Sequence, residues 1–520
     1  MAIITSPKGT HDLIGNEDRA YAYISDTCGI VARLYGFDPL TTPIFEANEL
    51  FARGVGDATD IVRKEMYVFT DKGNRLMALR PEGTAGVMRS IIANKLYATN
   101  DLPLRYYYSG PMFRYERPQL GRYRQFHQFG VESVGSTSII ADLEVILLAI
   151  HSLQALGLEN ITTKINSLGK QEARDAYREA LKKYYEPHLK DVCPDCKVRY
   201  EQNPLRMLDC KVPSDVELAK AAPKVTDFLT EEDKKDLEFI KTSLEEYGVN
   251  VEVDYGLVRG LDYYSGIIFE FVYIPPSGKD YGAIGGGGRY DKLVEELGGP
   301  SLEGVGFAFG LERLYHILNE EGKLEHTAVK DDFIFVAIGE EARTGGYSLL
   351  TALRANGLRG IMNFEDKSFK SLFKIAENRG ARVALILGEA EIKNEVVSVR
   401  NLETQEQVEV PFAEVINYIL DLCEEYHACN CGCDHEDCDC DNHDHKCKCG
   451  CEHEDCDCDH EECECDSHKE NGECCGEHHH DEKHECCRKH EHEKNHECTG
   501  KGKGRGVNCK KHEEKEEEKA

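Results

Sequence analysis

The stretch YYYSGPMFRYERPQLGRYRQFHQFGVES, residues 106–133, is the most informative part of this chain for its fold. Its flanks, residues 104–113 and 123–132, are rich in aromatic and β-branched residues, which favour strands. Pro118 and Gly121 lie between them, so the pattern predicts an antiparallel hairpin. The polar tip is rich in arginine, which can hold a polyphosphate through planar, bidentate contacts. The alternative is a solvated basic hairpin on an acidic protein.

The chain has 520 residues and a formal net charge of −32, which leaves room for two or three domains. This acidic balance opposes nonspecific nucleic-acid binding, although a local basic cluster could still meet a specific nucleic acid. No apolar run reaches the roughly 18 residues of a membrane span. The opening MAIITSPKGTHDL also lacks the regions of a signal peptide. We therefore expect a cytoplasmic protein with no membrane partner.

Strand-like runs recur through the first part of the chain, among them MYVFTD, RLMALRPEG and RQFHQFGVESVG. Together with long helical patterns such as residues 139–156, they predict an α+β fold built on an antiparallel sheet. Residues 170–250 are charged and helical in pattern, and we interpret them as a helical insertion. After residue 330 strands and helices alternate, which predicts a small α/β domain. The expected domain limits are 1–325 and 330–425.

Three glycine-rich segments are candidates for ligand contact. In LRPEGTAGVMRS, Glu82 and Thr84 lie on a turn that enters a helix, where free backbone N–H groups suit a small ligand. YGAIGGGGRYDKL, residues 281–293, lacks the Walker lysine and the dinucleotide spacing. Its four glycines predict a backbone packed close to a ligand. GVGFAFGLERL, residues 304–314, predicts a strand that turns into a helix. Each segment alone is also compatible with a tight structural turn.

Together these segments resemble the class II aminoacyl-tRNA synthetases. YGFDPLTTPIFE, with Pro43, is similar to motif 1, a dimer-interface element, while FRYERPQLGRYRQFHQ resembles motif 2 and GVGFAFGLERL resembles motif 3. GLVRGLDYYSGIIFEFV and GGGGRYD resemble the two signature boxes of histidyl-tRNA synthetases, and PKGTHDL and RPEGT agree with that family. The resemblance covers roughly residues 1–425. It implies a homodimer that uses ATP and Mg²⁺ to activate L-histidine to histidyl-adenylate and transfers the histidine to tRNA(His).

Activation joins a carboxylate to the α-phosphate of ATP, so the site must hold two anions together, mostly by positioning and charge neutralisation. The resemblance assigns ATP to Arg114 at the α-phosphate, Glu116 at the adenine, Arg122 at the distal phosphates and Arg313 on the nucleotide. It also implies that Arg114 and Arg259 are catalytic, with Arg259 stabilising the transition state. An ordinary ion pair with Asp262 is the alternative for Arg259.

Histidine recognition requires partners for the amino group and for both imidazole nitrogens. The resemblance assigns the histidine pocket to Glu82, Gly83, Thr84, Arg114, Gln128, Glu132, Arg259, Tyr263 and Tyr264. Glu132 and Tyr264 would hold the ring. Such a polar site rejects apolar analogues by roughly 10⁴-fold or more, so no editing domain is expected. A surface carboxylate at a strand end is the alternative for Glu132.

On the RNA side, the resemblance places Gln119 at the acceptor end of the tRNA and identifies residues 330–425 as an anticodon-binding domain. Two other functions stay open. One is a non-catalytic, synthetase-like regulatory subunit of histidine biosynthesis, a type of protein that tends to lack the anticodon domain and the ATP-binding arginines. The other is a protein whose tail makes it mainly a metal-binding module.

That tail, residues 428–520, holds 18 of the 23 cysteines. CGCDHEDCDC recurs 18 residues later as CGCEHEDCDC, and the dense charge with few apolar residues predicts disorder in the absence of metal. Soft divalent ions such as Zn²⁺ are the expected ligands. The repeats supply Cys431, Cys433, Cys438, Cys440, Cys449, Cys451, Cys456 and Cys458. A low-complexity tail without a selected role is the alternative.

The insertion contains a second group of cysteines, Cys193, Cys196 and Cys210, in the pattern CPDC…LDC. The CxxC pair raises a zinc hypothesis, but a structural zinc site has four ligands and the sequence offers no obvious fourth. We therefore interpret the three as reduced cysteines near a turn.

Overall fold

The computed structural model describes residues 3–56, 59–208 and 210–427. The tail and its predicted zinc-binding cysteines lie outside the described residues. The chain divides into two units, Met1–Asp421 and Leu422–Ala520, and the sheets and sites below belong to the first. Among the described residues, every helix is too short or too polar to cross a membrane.

The strands of the described residues are listed here in chain order. They are β1 (Asp38–Pro39), β2 (Phe45–Ala47), β3 (Val68–Thr70), β4 (Leu76–Leu79), β5 (Leu104–Phe113), β6 (Gln125–Val134), β7 (Ile161–Ser167), β8 (Asn250–Val253), β9 (Ser265–Tyr273), β10 (Ala283–Tyr290), β11 (Gly304–Gly310), β12 (Phe333–Ala337), β13 (Gly360–Met362), β14 (Val383–Leu387), β15 (Val396–Asn401) and β16 (Gln407–Pro411).

The α-helices of the same residues follow in the same order. They are α1 (Asn16–Leu34), α2 (Asn48–Val55), α3 (Thr84–Ala93), α4 (Ile139–Ala155), α5 (Gln171–Tyr185), α6 (Pro194–Gln202), α7 (Pro213–Lys220), α8 (Glu231–Glu246), α9 (Leu293–Glu296), α10 (Leu311–Glu320), α11 (Glu340–Ala355), α12 (Phe369–Arg379), α13 (Glu389–Asn394) and α14 (Val415–His427). Ile61–Glu65 forms a π-helical turn, and Pro204–Met207 forms a 3₁₀ turn.

The main sheet has the strand order β1-β5-β6-β11-β10-β9-β7-β8 in the described part of the chain. Its inner pairs, from β5–β6 to β9–β7, are all antiparallel, whereas the outer pairs β1–β5 and β7–β8 are parallel. The α+β class with an antiparallel-dominated sheet is therefore confirmed. Helices α5 to α8 separate β7 from β8 along the chain, in the segment predicted as a helical insertion.

The predicted hairpin forms between β5 and β6, with Leu104 opposite Val134 and Phe113 opposite Gln125. The second strand begins two residues later than the aromatic pattern suggested. The Arg124 carbonyl still accepts the backbone N–H of Arg114, just after β5, at 2.9 Å, but its own N–H donates to the Gly9 carbonyl of the N-terminal segment at 2.7 Å. The loop between the strands, with its arginines, lies at the mouth of the cavity described below.

One face of the main sheet is covered by α1, α4 and α10, which bury an apolar core with Phe129, Phe271 and Phe307 from the strands. A buried ion pair ties β10 to α4: the Arg289 guanidinium contacts the fully buried Asp142 and lies 2.9 Å from a Glu303 carboxylate oxygen. Burial raises the pKa of Asp142 to about 6. These contacts hold β10 against the helices on one face of the main sheet. The other face of the sheet is left for a ligand.

Beyond the main sheet, β13-β12-β14-β15-β16 form a second sheet, with β12 parallel to β13 and β14. Alternating helices α11 to α13 make this the small α/β unit expected from the sequence. A third, three-stranded sheet has the order β2-β4-β3 and leaves Ile44, Phe45, Val68 and Phe69 partly exposed. The domain limits 1–325 and 330–425 stay predictions.

Candidate active site

A cavity of about 340 Å³ opens on the face of the main sheet that faces away from α4. It is bounded by β5, β6, β9, β10 and β11 and by the hairpin loop. The predicted site residues that line it are Glu82, Thr84, Arg114, Glu116, Arg122, Gln128, Glu132, Arg259, Tyr263, Tyr264 and Arg313. Elements far apart in the sequence therefore bring nearly the whole predicted set together.

Two predicted residues do not line the cavity. Gly83 is the N-cap of α3 and lies against the Tyr108 ring, so closely that a Cβ would overlap that ring. Gln119 lies in the hairpin loop, where its backbone N–H donates to the Arg122 carbonyl at 3.0 Å. Gly83 therefore makes space for a neighbour, and Gln119 is exposed in the loop that supplies Glu116 and Arg122 to the cavity.

One end of the cavity is organised around the buried carboxyl group of Glu132. Thr84 Oγ1 donates to Glu132 Oε1 at 2.6 Å, and the Tyr290 hydroxyl donates to Oε2 at 2.6 Å. The Tyr108 hydroxyl lies 3.4 Å from Oε1. Burial raises the pKa of Glu132 to about 8, although these hydroxyls oppose the shift. Glu132 is thus a buried group within the sheet, which contradicts the alternative of a surface carboxylate.

A carboxyl group with a pKa near 8 can hold or release its proton close to neutral pH. It can therefore face either a hydrogen-bond donor or an acceptor on a ligand. Space for it comes from Gly306, which is directly opposite Glu132 in the β6–β11 pairing. A Cβ at Gly306 would overlap Glu132 Oε2.

Glu82 turns inward at the start of α3. Its carboxylate accepts hydrogen bonds from the backbone N–H groups of Thr84 at 2.7 Å and Ala85 at 2.9 Å. The helix N-terminus that we expected to be open to a ligand is therefore occupied by Glu82 itself. Burial raises the pKa of this carboxyl group. The group presented to a ligand at this position is a carboxyl, not a set of free N–H donors.

Tyr263 and Tyr264 form the aromatic wall of the same end. Both are buried, with ring centroids 4.7 Å apart. Burial raises the pKa of both phenols, so both stay protonated and able to donate. The Arg259 guanidinium lies 5.8 Å from the centroid of the Tyr264 ring and so connects this wall to the charged end.

At the charged end, Arg259 Nη1 lies 2.9 Å from Glu270 Oε1. The alternative ion pair with Asp262 is wrong, because the Asp262 carboxylate accepts a hydrogen bond from Asn203 Nδ2 at 2.6 Å. Glu270 extends from β9 and also lines the cavity. Arg259 is therefore held on the cavity wall, next to the glycine strand β10.

The arginines of the hairpin are held by two kinds of contact. Arg114 Nε donates to the Pro81 carbonyl at 2.8 Å, and its guanidinium lies over the Phe126 ring, 5.2 Å from the centroid. Arg122 Nε lies 2.8 Å from Glu116 Oε2. Glu116, expected at the adenine, thus also holds the arginine expected at the distal phosphates.

Arg313 lies near the start of α10 and donates to the Ala283 carbonyl. Burial and the nearby Arg122 charge lower the pKa of Arg313. Its neighbour Glu312 is buried and accepts the backbone N–H of His127 at 2.8 Å, which joins α10 to β6. The strand-to-helix turn predicted for GVGFAFGLERL is therefore present and positions Arg313 in the cavity.

Two buried polar atoms of the cavity have no hydrogen-bond partner among the described residues: Gln128 Oε1 and Arg259 Nε. Buried polar groups are nearly always paired in native proteins. An acceptor and a cationic donor left open in one cavity match a ligand that carries both an ammonium group and an anion. The residues present therefore suit a zwitterionic amino acid next to a phosphate group.

Sequence reasoning missed Tyr108, Tyr290 and Glu270, which all line the cavity. For Glu270 a signal existed, because it is the lone charge in the apolar strand GIIFEFV. Such an isolated carboxylate on a sheet needs a partner. The two tyrosines gave no comparable signal, because aromatic residues are common in strands.

Comparison with known proteins agrees with this geometry. The family model described as histidyl-tRNA synthetase matches residues 9–314, and one described as anticodon binding domain matches residues 332–422. A histidine–tRNA ligase from Thermosipho melanesiensis is 48% identical over 404 residues, which are 78% of this chain and 95% of the relative. One from Bacillus subtilis is 44% identical over 79% of this chain and 97% of its own.

Among solved structures, the apo histidyl-tRNA synthetase of S. aureus is 36% identical to this chain. It superposes with a TM-score of 0.68 and covers 80% of this chain and 100% of its own. The family match spans more than half of the chain, and it includes all the residues that line the cavity. This chain therefore belongs to the histidyl-tRNA synthetase family.

Proposed function

We propose that this protein uses ATP to activate L-histidine to histidyl-adenylate and then transfers the histidine to the 3′ end of tRNA(His), releasing AMP and pyrophosphate. The observation that carries this proposal is a single cavity with two unlike ends. One end has a buried carboxyl group among phenols, and the other has several arginines. A polar aromatic amino acid and a polyphosphate can therefore lie side by side in it.

At the first end we assign the imidazole ring to Glu132 and Tyr264, with Tyr263 beside it. Both imidazole nitrogens need partners, and a carboxyl group poised near neutral pH suits a ring that also titrates there. Glu82, Thr84 and the open Gln128 Oε1 are assigned to the amino group. Histidine binding would then give a hydrogen-bond donor to Gln128 Oε1, a buried atom that has no partner among the described residues.

At the second end we assign Arg114 and Arg259 to the meeting point of the histidine carboxylate and the α-phosphate. Charge builds up there during attack, and preorganised cations stabilise it. Arg122 and Arg313 would hold the rest of the nucleotide, with Glu116 at the adenine. The family uses ATP with Mg²⁺, whose charge would neutralise the phosphates beside these arginines. The chain's own part is thus to position two anions and offset their repulsion.

The tRNA would be read by two parts of the chain. The match of residues 332–422 to an anticodon-binding domain supports recognition of tRNA, and we assign the exposed Gln119 of the hairpin loop to the acceptor end. A regulatory subunit is not favoured, because both the anticodon-binding match and the cavity arginines are present. A mainly metal-binding protein would have no need for such a cavity.

We also propose that the protein works in the cytoplasm as a homodimer. Support for the dimer is the segment that resembles motif 1, around Pro43. The adjoining sheet β2-β4-β3 leaves Ile44, Phe45 and Phe69 partly exposed. Apolar side chains grouped in this way are typical of an interface between subunits.

The proposed function is tested by pyrophosphate exchange with each of the twenty amino acids. Histidine should support exchange at least about 10⁴-fold better than any apolar amino acid, because those would leave the polar groups of the ring pocket unpaired. Absence of exchange with every amino acid would contradict the proposal and favour the regulatory alternative.

Replacing Arg259 with alanine should slow adenylate formation by about 10² or more, equivalent to roughly 3 kcal/mol of transition-state stabilisation. Histidine binding should stay within about tenfold, because the groups assigned to the imidazole ring and the amino group are unchanged and Arg114 still faces the carboxylate. Single-turnover adenylation and equilibrium dialysis measure the two effects. Arg75→Ala, which removes an exposed arginine far from the cavity, is the matched control. An unchanged adenylation rate in R259A would show that another arginine has this role.

Replacing Glu132 with glutamine should raise the KM for histidine by roughly 10- to 100-fold, the effect of losing a hydrogen bond to a charged group. The KM for ATP should stay within about twofold, because the arginine end is intact. Glu144→Gln, a change at a half-buried carboxylate of α4 that pairs with Arg105 and does not line the cavity, serves as the control. An equal rise in both KM values would mean that the whole site is disturbed and would contradict the ring assignment.

For the tail we propose binding of Zn²⁺ by its repeated cysteines, separate from catalysis. A truncation that removes residues 428–520 should keep aminoacylation within about twofold, because every assigned site residue lies before residue 314. Zinc content per chain should fall markedly, since thiolates bind this ion tightly. Elemental analysis after purification without chelator measures the difference. Equal zinc content in the two proteins would contradict a metal-binding tail.

A further inference from the structure

The insertion brings four potential metal ligands together at the start of α6, among residues that do not line the cavity. The sulfur atoms of Cys193, Cys196 and Cys210 and a carboxylate oxygen of Asp215 all lie within 4.8 Å of one another. Cys193 is the N-cap of α6, Cys196 lies in its first turn, and Asp215 lies in the first turn of α7. The fourth ligand that the sequence did not reveal is thus a carboxylate.

The separations match those of a filled tetrahedral site. With a zinc–sulfur distance of about 2.3 Å, two sulfurs of a tetrahedron lie about 3.8 Å apart, and a sulfur and a carboxylate oxygen lie about 3.5 Å apart. Cys193 Sγ and Cys210 Sγ are 3.8 Å apart, and Cys210 Sγ lies 3.4 Å from Asp215 Oδ2. An iron–sulfur cluster places several ions between its cysteines and would need wider spacing.

The surroundings of the sulfurs also suit thiolates. The backbone N–H of Cys196 donates to Cys193 Sγ at 3.4 Å, and that of Val212 donates to Cys210 Sγ at 3.5 Å. Donors aimed at sulfur orient metal-bound thiolates and offset their charge. The backbone N–H of Cys193 donates to Asp215 Oδ2 at 3.0 Å, which holds the carboxylate next to the three sulfur atoms. Cys196, Cys210 and Asp215 are all buried.

We propose that Cys193, Cys196, Cys210 and Asp215 bind a single Zn²⁺ ion that holds the insertion together. Three thiolates select a soft ion such as Zn²⁺ over Mg²⁺ or Ca²⁺, and four protein ligands leave no open position for catalysis. The site is structural: it fastens the start of α6 to the start of α7 and to the chain after the 3₁₀ turn Pro204–Met207. It is distinct from the zinc site proposed for the tail, which would use other cysteines.

The test compares the zinc content of the full-length protein with that of Cys193→Ser and Asp215→Asn, all purified without chelator. Serine is a favoured N-cap, so Cys193→Ser keeps the start of α6 intact while removing a ligand. Each variant should lose one equivalent of zinc per chain. The tail is the same in all three proteins, so its ions cancel in the difference.

Cys28→Ala is the matched control, because Cys28 is a buried free cysteine outside the cluster. It should keep the zinc content of the unaltered protein. A zinc chelator should lower the midpoint of thermal unfolding of the unaltered protein and of C28A but not that of C193S, because ligands that bind only the native state stabilise it. Equal zinc content in the unaltered protein and both ligand variants would overturn the proposal. A disulfide between Cys193 and Cys210, seen by mass spectrometry without reductant, would overturn it as well.

Discussion

The site depends on the glycines of β10, which form the floor of the cavity from backbone alone. In β10 the four glycines from Gly285 onward pass between β9 and β11, and a Cβ at Gly287 would overlap the Gly306 carbonyl. A Cβ at Gly286 would come within 2.9 Å of Arg259 Nη1. Side chains on these strands would therefore fill the space that Arg259 and Glu132 now occupy. Both ends of the cavity follow from this one steric constraint, which only glycine meets.

Electrostatics explain how an acidic protein can hold arginines ready for an anion. The chain carries a net charge of −32, yet its cavity gathers Arg114, Arg122, Arg259 and Arg313. Three of them have carboxylate partners: Glu116 lies 2.8 Å from Arg122 and 4.0 Å from Arg114, and Glu270 lies 2.9 Å from Arg259. These partners keep the guanidinium groups oriented. A phosphate bound there, as we propose, would add a second anion to an already positioned cation, so little side-chain entropy would be lost at that step.

Local features of the sequence were sufficient for most of the fold. Aromatic and β-branched residues marked β5 and β6, and glycine marked the strand-to-helix turn at Gly310. Contacts between distant segments were not readable in the same way. Arg259 pairs with Glu270 and not with its sequence neighbour Asp262, because β9 turns Glu270 back toward the cavity. Asp215 joins the cysteines only because the start of α7 lies next to the start of α6, which no spacing of cysteine and histidine could indicate.

The insertion supports the proposed histidine pocket although none of its described residues line the cavity. Asp262, which immediately precedes Tyr263, is held by insertion groups: Asn203 Nδ2 donates to its carboxylate at 2.6 Å, and Arg174 donates to its carbonyl at 3.2 Å. Asn203 is the C-cap of α6, a helix of 9 residues whose N-cap is Cys193 of the cysteine cluster. The same short helix therefore joins the cysteine cluster to the residue that holds the Asp262 carboxylate. The aromatic wall of the ring pocket is therefore positioned from outside the cavity, through backbone that follows Asp262.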